Sequence, residues 1–276
     1  MDKNLIIKLR QTTSAGMLDC QKALKATNGD FQEAIDWLRQ KGMSAASKKS
    51  GRTTSEGIVG VATNAERGVM VEINCETDFL ARNEKFQDFV RSILTLGLSQ
   101  GPETLEDLCA LSLESGQSVE ESRLAAIGVL QENIQIRRWV CLQGPAVHGY
   151  VHNALCPQMG TLGVLVSVDG AMSADLARGL SMHIAALAPQ ALSKDTLSAD
   201  IIERERHVLQ EQLKSIDKPQ AVINKMLEGR LNKFFSENTL LSQAYVRDAK
   251  TTVEALLKAN ANTVHHFVRY QRGEDI

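Results

Sequence analysis

The sequence lacks most of the signatures that announce a membrane span, a metal or a covalent reaction. No apolar run reaches the roughly 18 residues that a membrane-crossing helix requires, and 43% apolar with 23% charged residues is the composition of an ordinary soluble globular chain. The five cysteines, Cys20, Cys75, Cys109, Cys141 and Cys156, form an odd set without a CxxC pair. That argues against a disulfide framework or a zinc site and fits a reducing cytoplasm. The start, MDKNLIIKLRQ, offers only Leu5 to Ile7 as an apolar stretch before charge returns, so export is not expected. A phosphate-binding loop, a GxGxxG after a strand and a nucleophile elbow between strand and helix are all missing. Nothing here favours an enzyme, a cofactor or a resident metal.

What is present is an uneven distribution of charge. Residues 1–54 hold ten Lys and Arg against five acids, +5 within a chain whose net charge is -2, so the remainder is acidic at -7. Such a split suggests an N-terminal unit that meets an acidic surface. Within it, LRQKGMSAASKKSGR (residues 38–52) carries five positive charges and no acid. A nucleic-acid patch and a solvated basic linker both look like this. The stretch has no aromatic for base stacking, which favours a linker, placed over residues 43–56.

With 276 residues the chain has room for more than one unit. Three short helices are expected in the first 42 residues. Leu5, Ile6 and Leu9 give the first an apolar stripe, and Thr12, Thr13 and Ser14 offer capping oxygens to a second that bears Met17, Leu18, Ala23 and Leu24. Asp30 and Glu33 resemble a capping box for a third, with Ala34, Ile35 and Leu38 buried and Gly42 as its stop. The apolar period then changes from 3.6 to 2. GIVGVATN and GVMVEINC (57–64 and 68–75) read as a β-hairpin around a short turn. After ETDFLARN comes a helix capped by Asn83, with Phe86, Phe89, Val90, Ile93 and Leu94 on one face; a second helical stretch follows Gly116, and ENIQIRRWVCL (132–142) alternates as a strand. The same order recurs: HGYVHNAL and GTLGVLVSV as a hairpin, SADLARGLSMHIAALAP as a helix, then TTVEALLKAN leading into NTVHHFVRY. This is a duplication of a hairpin-helix-strand unit, with two copies. The second copy is interrupted by SADIIERERHVLQEQL (198–213) and KPQAVINKMLEGRLNKFF, two helices joined by KSIDKP, with Pro219 in a first turn. A helical arm with so little apolar face is expected to bind another chain.

The histidines offer little chemistry. His148, His152 and Cys156 are spaced by four, and on a strand they would share a face but spread over about 27 Å at some 3.4 Å per residue, too far for one ion. His265 and His266 should point to opposite faces of a strand, one exposed and one packed. His183 beside Ile184 reads as a satisfied imidazole on a helix.

In order along the chain, RQTTSAGMLDCQKALKATNGDFQEAIDWLRQKG (10–42), EGIV, NCETDFLARNEKF, ENIQIRR and MLEGRLNKF resemble the bacterial elongation factor Ts family from residue 3 to about 273. The resemblance implies an α+β fold. A three-helix, ubiquitin-associated-like module with its linker (1–54) would precede a duplicated core of antiparallel sheets and packed helices. Its halves are expected at 55–139 and 140–276, with a helical hairpin inserted at about 188–222. It implies a guanine-nucleotide exchange factor for elongation factor Tu, the GTPase that carries aminoacyl-tRNA to the ribosome, acting without covalent change. Arg10, Met17 and Leu18 fall where the family's N-terminal module meets the GTPase. Thr77, Asp78 and Phe79 match its threonine-aspartate-phenylalanine motif, with Leu80 where valine is common, a motif that dislodges Mg²⁺ from the partner. The implied partners are elongation factor Tu, GDP-bound and nucleotide-free, and a second copy through the hairpin, with no direct nucleic acid or membrane.

Departures from the family pattern are visible. The family often continues past the last strand into a further helical module, whereas this sequence ends at GEDI (273–276), and SQAYVRD (242–248) replaces a glutamine-proline-phenylalanine run. Residues 112–119 align poorly. Two other readings stand beside this one: a ribosome- or RNA-binding translation protein using the basic N-terminal unit, whose affinity would collapse with salt, and a peptide-binding module in residues 1–45, which leaves the duplicated core without a role. On the residues alone, Phe79 would pack in the core and Asp78 would cap the helix that follows.

Overall fold

A computed structural model describes residues 2–13, 15–214, 216 and 218–275. Three helices come first, α1 (Lys3–Thr13), α2 (Met17–Ala26) and α3 (Phe31–Lys49). The first half of the core follows with β1 (Glu56–Thr63), β2 (Arg67–Cys75), α4 (Asp78–Ala81), α5 (Glu84–Gln100), α6 (Leu105–Ala110), α7 (Val119–Leu130) and β3 (Ile134–Gln143). Then come β4 (Ala146–His152), β5 (Met159–Gly160), β6 (Leu162–Val168), α8 (Ala174–Leu187), α9 (Ala199–Leu213) and α10 (Gln220–Asn238). The chain closes with β7 (Ala244–Tyr245), β8 (Asp248–Thr252), α11 (Val253–Ala259) and β9 (Val264–Gln271).

The expected repeat is visible as topology. β1, β2 and β3 are antiparallel neighbours in that order, and so are β4, β6 and β9; in each set a hairpin is followed by helices and a returning strand. β3 runs through Gln143, past the boundary expected between 139 and 140, so the two repeats meet at the turn 144–145. β5, which the periodicity did not show, adds a fourth strand beside β1.

The two sheets face each other, with helices on the outer side of each. Ile58, Ala62, Val69, Val71 and Ile73 of the first hairpin pack under Phe86, Val90, Ile93 and Leu94 of α5. The opposite side chains of the same strands, Val59, Val61 and Met70, meet Val147 and Leu165 of the second sheet. Val164 and Val166 then lie under Leu180 and Ile184 of α8. Strands buried on both faces should read as continuous apolar runs rather than alternations. β6 is buried at all seven residues, and only Ser167 interrupts its apolar run.

The N-terminal helices share a small core of Ile6, Leu9, Cys20, Ala23, Leu24 and Ala34. Three expectations here are corrected. Thr12 and Thr13 do not cap α2: they close α1, their hydroxyls donating to the carbonyls of Lys8 and Leu9, and Gly16 stands at the α2 N-cap without a side-chain bond. Ser14 lies outside the described residues. Of the apolar residues expected on α2, Ala23 and Leu24 are buried, while Met17 and Leu18 are exposed. Gly42 does not end α3, and residues 43–49, expected as linker, are its last turns. The glycine has a packing role instead. A Cβ at Gly42 would stand 3.3 Å from the Leu124 carbonyl oxygen of α7, and one at Gly128 would stand 3.4 Å from Gly42 Cα, so the two glycines let α3 and α7 cross closely.

Asp30 caps α3 as expected, accepting from the Glu33 N–H. Asn83 likewise caps α5, whose apolar face is buried at all five expected positions. α10 is longer than the arm expected at 188–222, continuing to Asn238, and Pro219 is its N-cap rather than a first-turn residue. Ser215 and Asp217 of the connecting turn lie outside the described residues.

Candidate partner-docking face

ETDFLARN is built as a single helical turn between a strand and a helix. β2 and β3 pair as far as Cys75 and Ile134. The chain then turns at Thr77, whose Oγ1 accepts from the Leu80 N–H at 3.2 Å and so caps α4. Glu132, just before β3, holds the same residue twice: it accepts from the Thr77 N–H at 2.9 Å and from the Thr77 hydroxyl at 2.6 Å. The Cys75 thiol donates to the Thr77 carbonyl at 3.1 Å; burial, with the nearby Glu132 charge, pushes that thiol up to about 12, so it stays a neutral donor.

Successive residues of a helical turn point about 100° apart. In α4 this sends Leu80 and Ala81 into the core of the first half and leaves Asp78 and Phe79 outside. Phe79 is 82% exposed, more than any other large apolar side chain among the described residues, the next being Leu18 at 70%. The residue-level expectation for this pair is therefore reversed: the aromatic is outside, Thr77 caps α4, and Asn83, not Asp78, caps α5. Of the four motif residues, two face solvent and two fix the turn.

The N-terminal helices add to this face. Ile7, Met17 and Leu18 are exposed, and Ile7, Arg10, Gln11 and Met17 line a shallow groove of about 340 Å³ together with Lys85 from the first turn of α5. Lys85 follows Phe79 by six residues, across the α4–α5 junction. Arg10 and Met17 thus share a groove with Lys85 of α5, the helix that follows the turn carrying Phe79; Phe79 itself does not line it. Ile7, left off the stripe of Leu5, Ile6 and Leu9, faces outward, and the sequence pattern gave it no role.

Other candidate groups have structural surroundings. β4 ends at His152, and Asn153 in the left-handed conformation (φ 49°) turns the chain, so Cys156 is not on the strand with His148 and His152. His265 and His266 are both exposed, because a register shift opposite Ser167 and Val168 makes His265 the extra residue of a bulge. His265 donates from Nε2 to the Asp169 carboxylate at 2.9 Å. His183 is buried; its Nδ1 accepts from the Val246 N–H at 3.1 Å, which leaves the proton on Nε2 to donate to Gln243 at 2.9 Å, and burial lowers its pKa. The string GLSQG (97–101) has the spacing of a nucleophile elbow but closes helix α5, with the Ser99 hydroxyl donating to the Leu96 carbonyl. Among the described residues, no group of three or more His, Cys, Asp and Glu is placed to hold a metal ion, and no helix is long and apolar enough to cross a membrane.

A doubled α+β core that carries an exposed aromatic on a firmly held turn, with further exposed apolar side chains on its N-terminal helices, has the kind of surface that proteins use to dock on one another. The chain belongs to the elongation factor Ts family, whose model matches residues 76–274. It is 44% identical over 284 residues to elongation factor Ts of Sphingopyxis alaskensis, covering 99% of this chain and 92% of that protein. It is also 45% identical over 274 residues to that of Paracoccus denitrificans, with the same coverage of 99% and 92%, and 43% identical over 278 residues to that of Gluconobacter oxydans.

Proposed function

We propose that this chain is a cytoplasmic guanine-nucleotide exchange factor for elongation factor Tu, binding both its GDP-bound and nucleotide-free forms and promoting GDP release without covalent chemistry. The observation that carries this reading is Phe79, 82% exposed on a turn whose cap, inward residues and neighbouring strand are all fixed. An aromatic in that position is a preformed anchor. Burying a Phe side chain in a partner is worth about 1.5–3 kcal/mol, about ten- to a hundredfold in affinity.

In this reading Phe79, with Asp78 beside it, presses on the GTPase next to its Mg²⁺ site. Mg²⁺ demands near-ideal octahedral oxygen geometry, so a small displacement of the backbone that supports it weakens its binding, and the nucleotide phosphates lose their counter-ion. Arg10, Met17 and Leu18 make a second contact with the nucleotide-binding domain. Thr77 and Leu80 act by holding the turn. The α1–α3 bundle is read as a ubiquitin-associated-like module, and α9 with α10 as an inserted helical hairpin able to pair with a second copy. Support for the insertion comes from its ends, where the Gln190 N–H donates to Asn238 at 2.8 Å and the Leu240 N–H to Ala191 at 2.9 Å. Support for pairing comes from Val208 and Val222, exposed on the two helices.

The test is release of labelled GDP from elongation factor Tu with and without the chain. Strong acceleration is expected, and it should shrink when Mg²⁺ is chelated before mixing. No acceleration would overturn the exchange reading, and undiminished acceleration without Mg²⁺ would overturn the route through the metal.

A further inference from the structure

We infer that Glu132, distant in sequence from the motif, is a positioning residue for exchange, the main member of a reciprocal clasp that aims Phe79. This rests on the exchange reading above. The clasp lies where the β2–β3 ladder ends. Glu132 accepts from the Thr77 N–H and hydroxyl at 2.9 and 2.6 Å, and in return Glu76 accepts from the Asn133 N–H at 2.6 Å. Each turn thus supplies a carboxylate to the backbone of the other.

The clasp has a third member. The Asn133 side-chain amide donates to the Arg52 carbonyl at 3.0 Å, and the Arg52 guanidinium reaches Glu76 at 3.3 Å. Arg52 belongs to the segment that leaves α3. Next to Glu132, Gln131 ends α7 and accepts from Lys49 of α3 at 2.9 Å. One cluster therefore joins the turn that presents Phe79 to the end of α3, the helix on which α1 and α2, bearing Arg10, Met17 and Leu18, are packed.

The reason that Glu132 matters to Phe79 is the length of α4. A four-residue helix has paid the cost of nucleation without gaining any propagation, so it has no cooperative stability of its own. Its direction is set by the Thr77 cap, and the Thr77 hydroxyl presents its lone pairs to the Leu80 N–H while its own proton is held pointing away. Glu132 takes that proton. Phe79, with most of its surface in solvent, has few contacts of its own to restore its aim if the cap rotates. Binding would then have to order the turn as well as bury the ring.

A double-mutant cycle separates positioning from a general structural effect. GDP release from elongation factor Tu is measured for the full chain, Phe79→Ala, Glu132→Ala and the double variant, with thermal unfolding of each. Each single change should slow release by about tenfold, the size of one charge-assisted hydrogen bond or one buried ring, and the double variant should be no slower than Phe79→Ala alone within about twofold. Thr77→Val and Thr77→Ser run beside them and replace Glu132→Ala in the cycle if that variant does not fold; Thr77→Ser should recover most of the rate lost in Thr77→Val. Multiplying losses in the double variant, or full-rate release by Glu132→Ala while Phe79→Ala is slow, would overturn the clasp. Full-rate release by Phe79→Ala would instead overturn the anchor on which it rests.

Discussion

Glu72, in the middle of β2, has no solvent exposure and yet carries a charge. Burial by itself would push its proton affinity up, but the Gly273 N–H at 2.9 Å and Arg138 at 2.6 Å, with Asn74 at 3.1 Å, outweigh that and hold the carboxyl below its ordinary value. Arg137 adds a contact at 3.1 Å. Two consecutive arginines reach one carboxylate because the β2–β3 register shifts after Glu72, making Arg137 the bulged residue. Arg138 also lies over the Tyr270 ring at 4.1 Å and pairs with Glu274, so the cluster ties the first sheet to the chain's last residues. Removing the carboxylate takes from both guanidinium groups their buried counter-charge, and Glu72→Ala should cost about 3 kcal/mol or more in urea unfolding followed by circular dichroism. The lowered pKa fixes the sign with pH: the unfolded chain binds this proton more readily, so the stabilisation is present above the ordinary value of 4.5 and is lost as pH falls through the lower folded value. Glu72→Gln should accordingly flatten the acid limb of the stability curve; an acid limb identical to the parent's would show that the charge is not the source. In the sequence ENIQIRR announced a strand with paired polar residues, but its carboxylate partner lies 65 residues away and a bulge selects the register, so the cluster itself was not legible.

Helix α3 shows how one residue type can carry opposite messages. After an apolar stripe, with Ser, Ala and Lys following, Gly42 has the signature of a helix stop. The alternative meaning, a close crossing, depends on a surface that the local sequence does not contain: Leu124, Ala125 and Gly128 of α7. Around the crossing Arg39 pairs with Glu121, Lys41 pairs with Asp19 at 2.5 Å, and a cleft of about 260 Å³ remains beside Leu38 and Leu124. Four of the five basic residues at 38–52, all but Arg52, thus lie on a docked helix rather than a free linker. A larger side chain at position 42 must move backbone, not a flexible side-chain end. Gly42→Leu should prise α3 from α7, increase proteolysis across residues 50–56, and slow GDP release by displacing Met17 and Leu18 together with Arg52. Unchanged proteolysis and unchanged release would show that the crossing tolerates the side chain and that the α3–α7 contact does not set the docking face.

At the scale of the whole molecule, two hairpin-helix-strand units pack sheet against sheet, and the residues proposed to dock lie on α4 of the first unit and on the N-terminal helices. The repeat was legible because Phe86 to Leu94 on α5 and Leu176 to Leu187 on α8 recur with helical spacing after alternating strands. The facing of the sheets was not, since Val59, Val61 and Met70 find Val147 and Leu165 only through long-range packing. Nor was the exposure of Phe79: Leu80 beside it is equally apolar, and the turn capped at Thr77 decides that Leu80 turns in and Phe79 turns out. Exchange requires the factor and GDP to weaken each other on the GTPase by the same factor, so an anchor that carries this coupling must affect release and binding together. The most direct measurement is stopped-flow GDP release from elongation factor Tu at fixed Mg²⁺, driven by the parent chain and by Phe79→Ala, with binding to the nucleotide-free GTPase followed alongside. The expected result is a variant that unfolds at the parent's temperature but releases GDP at least about tenfold more slowly. Release at the parent rate by a folded Phe79→Ala would contradict the assignment of Phe79 as the anchor of exchange.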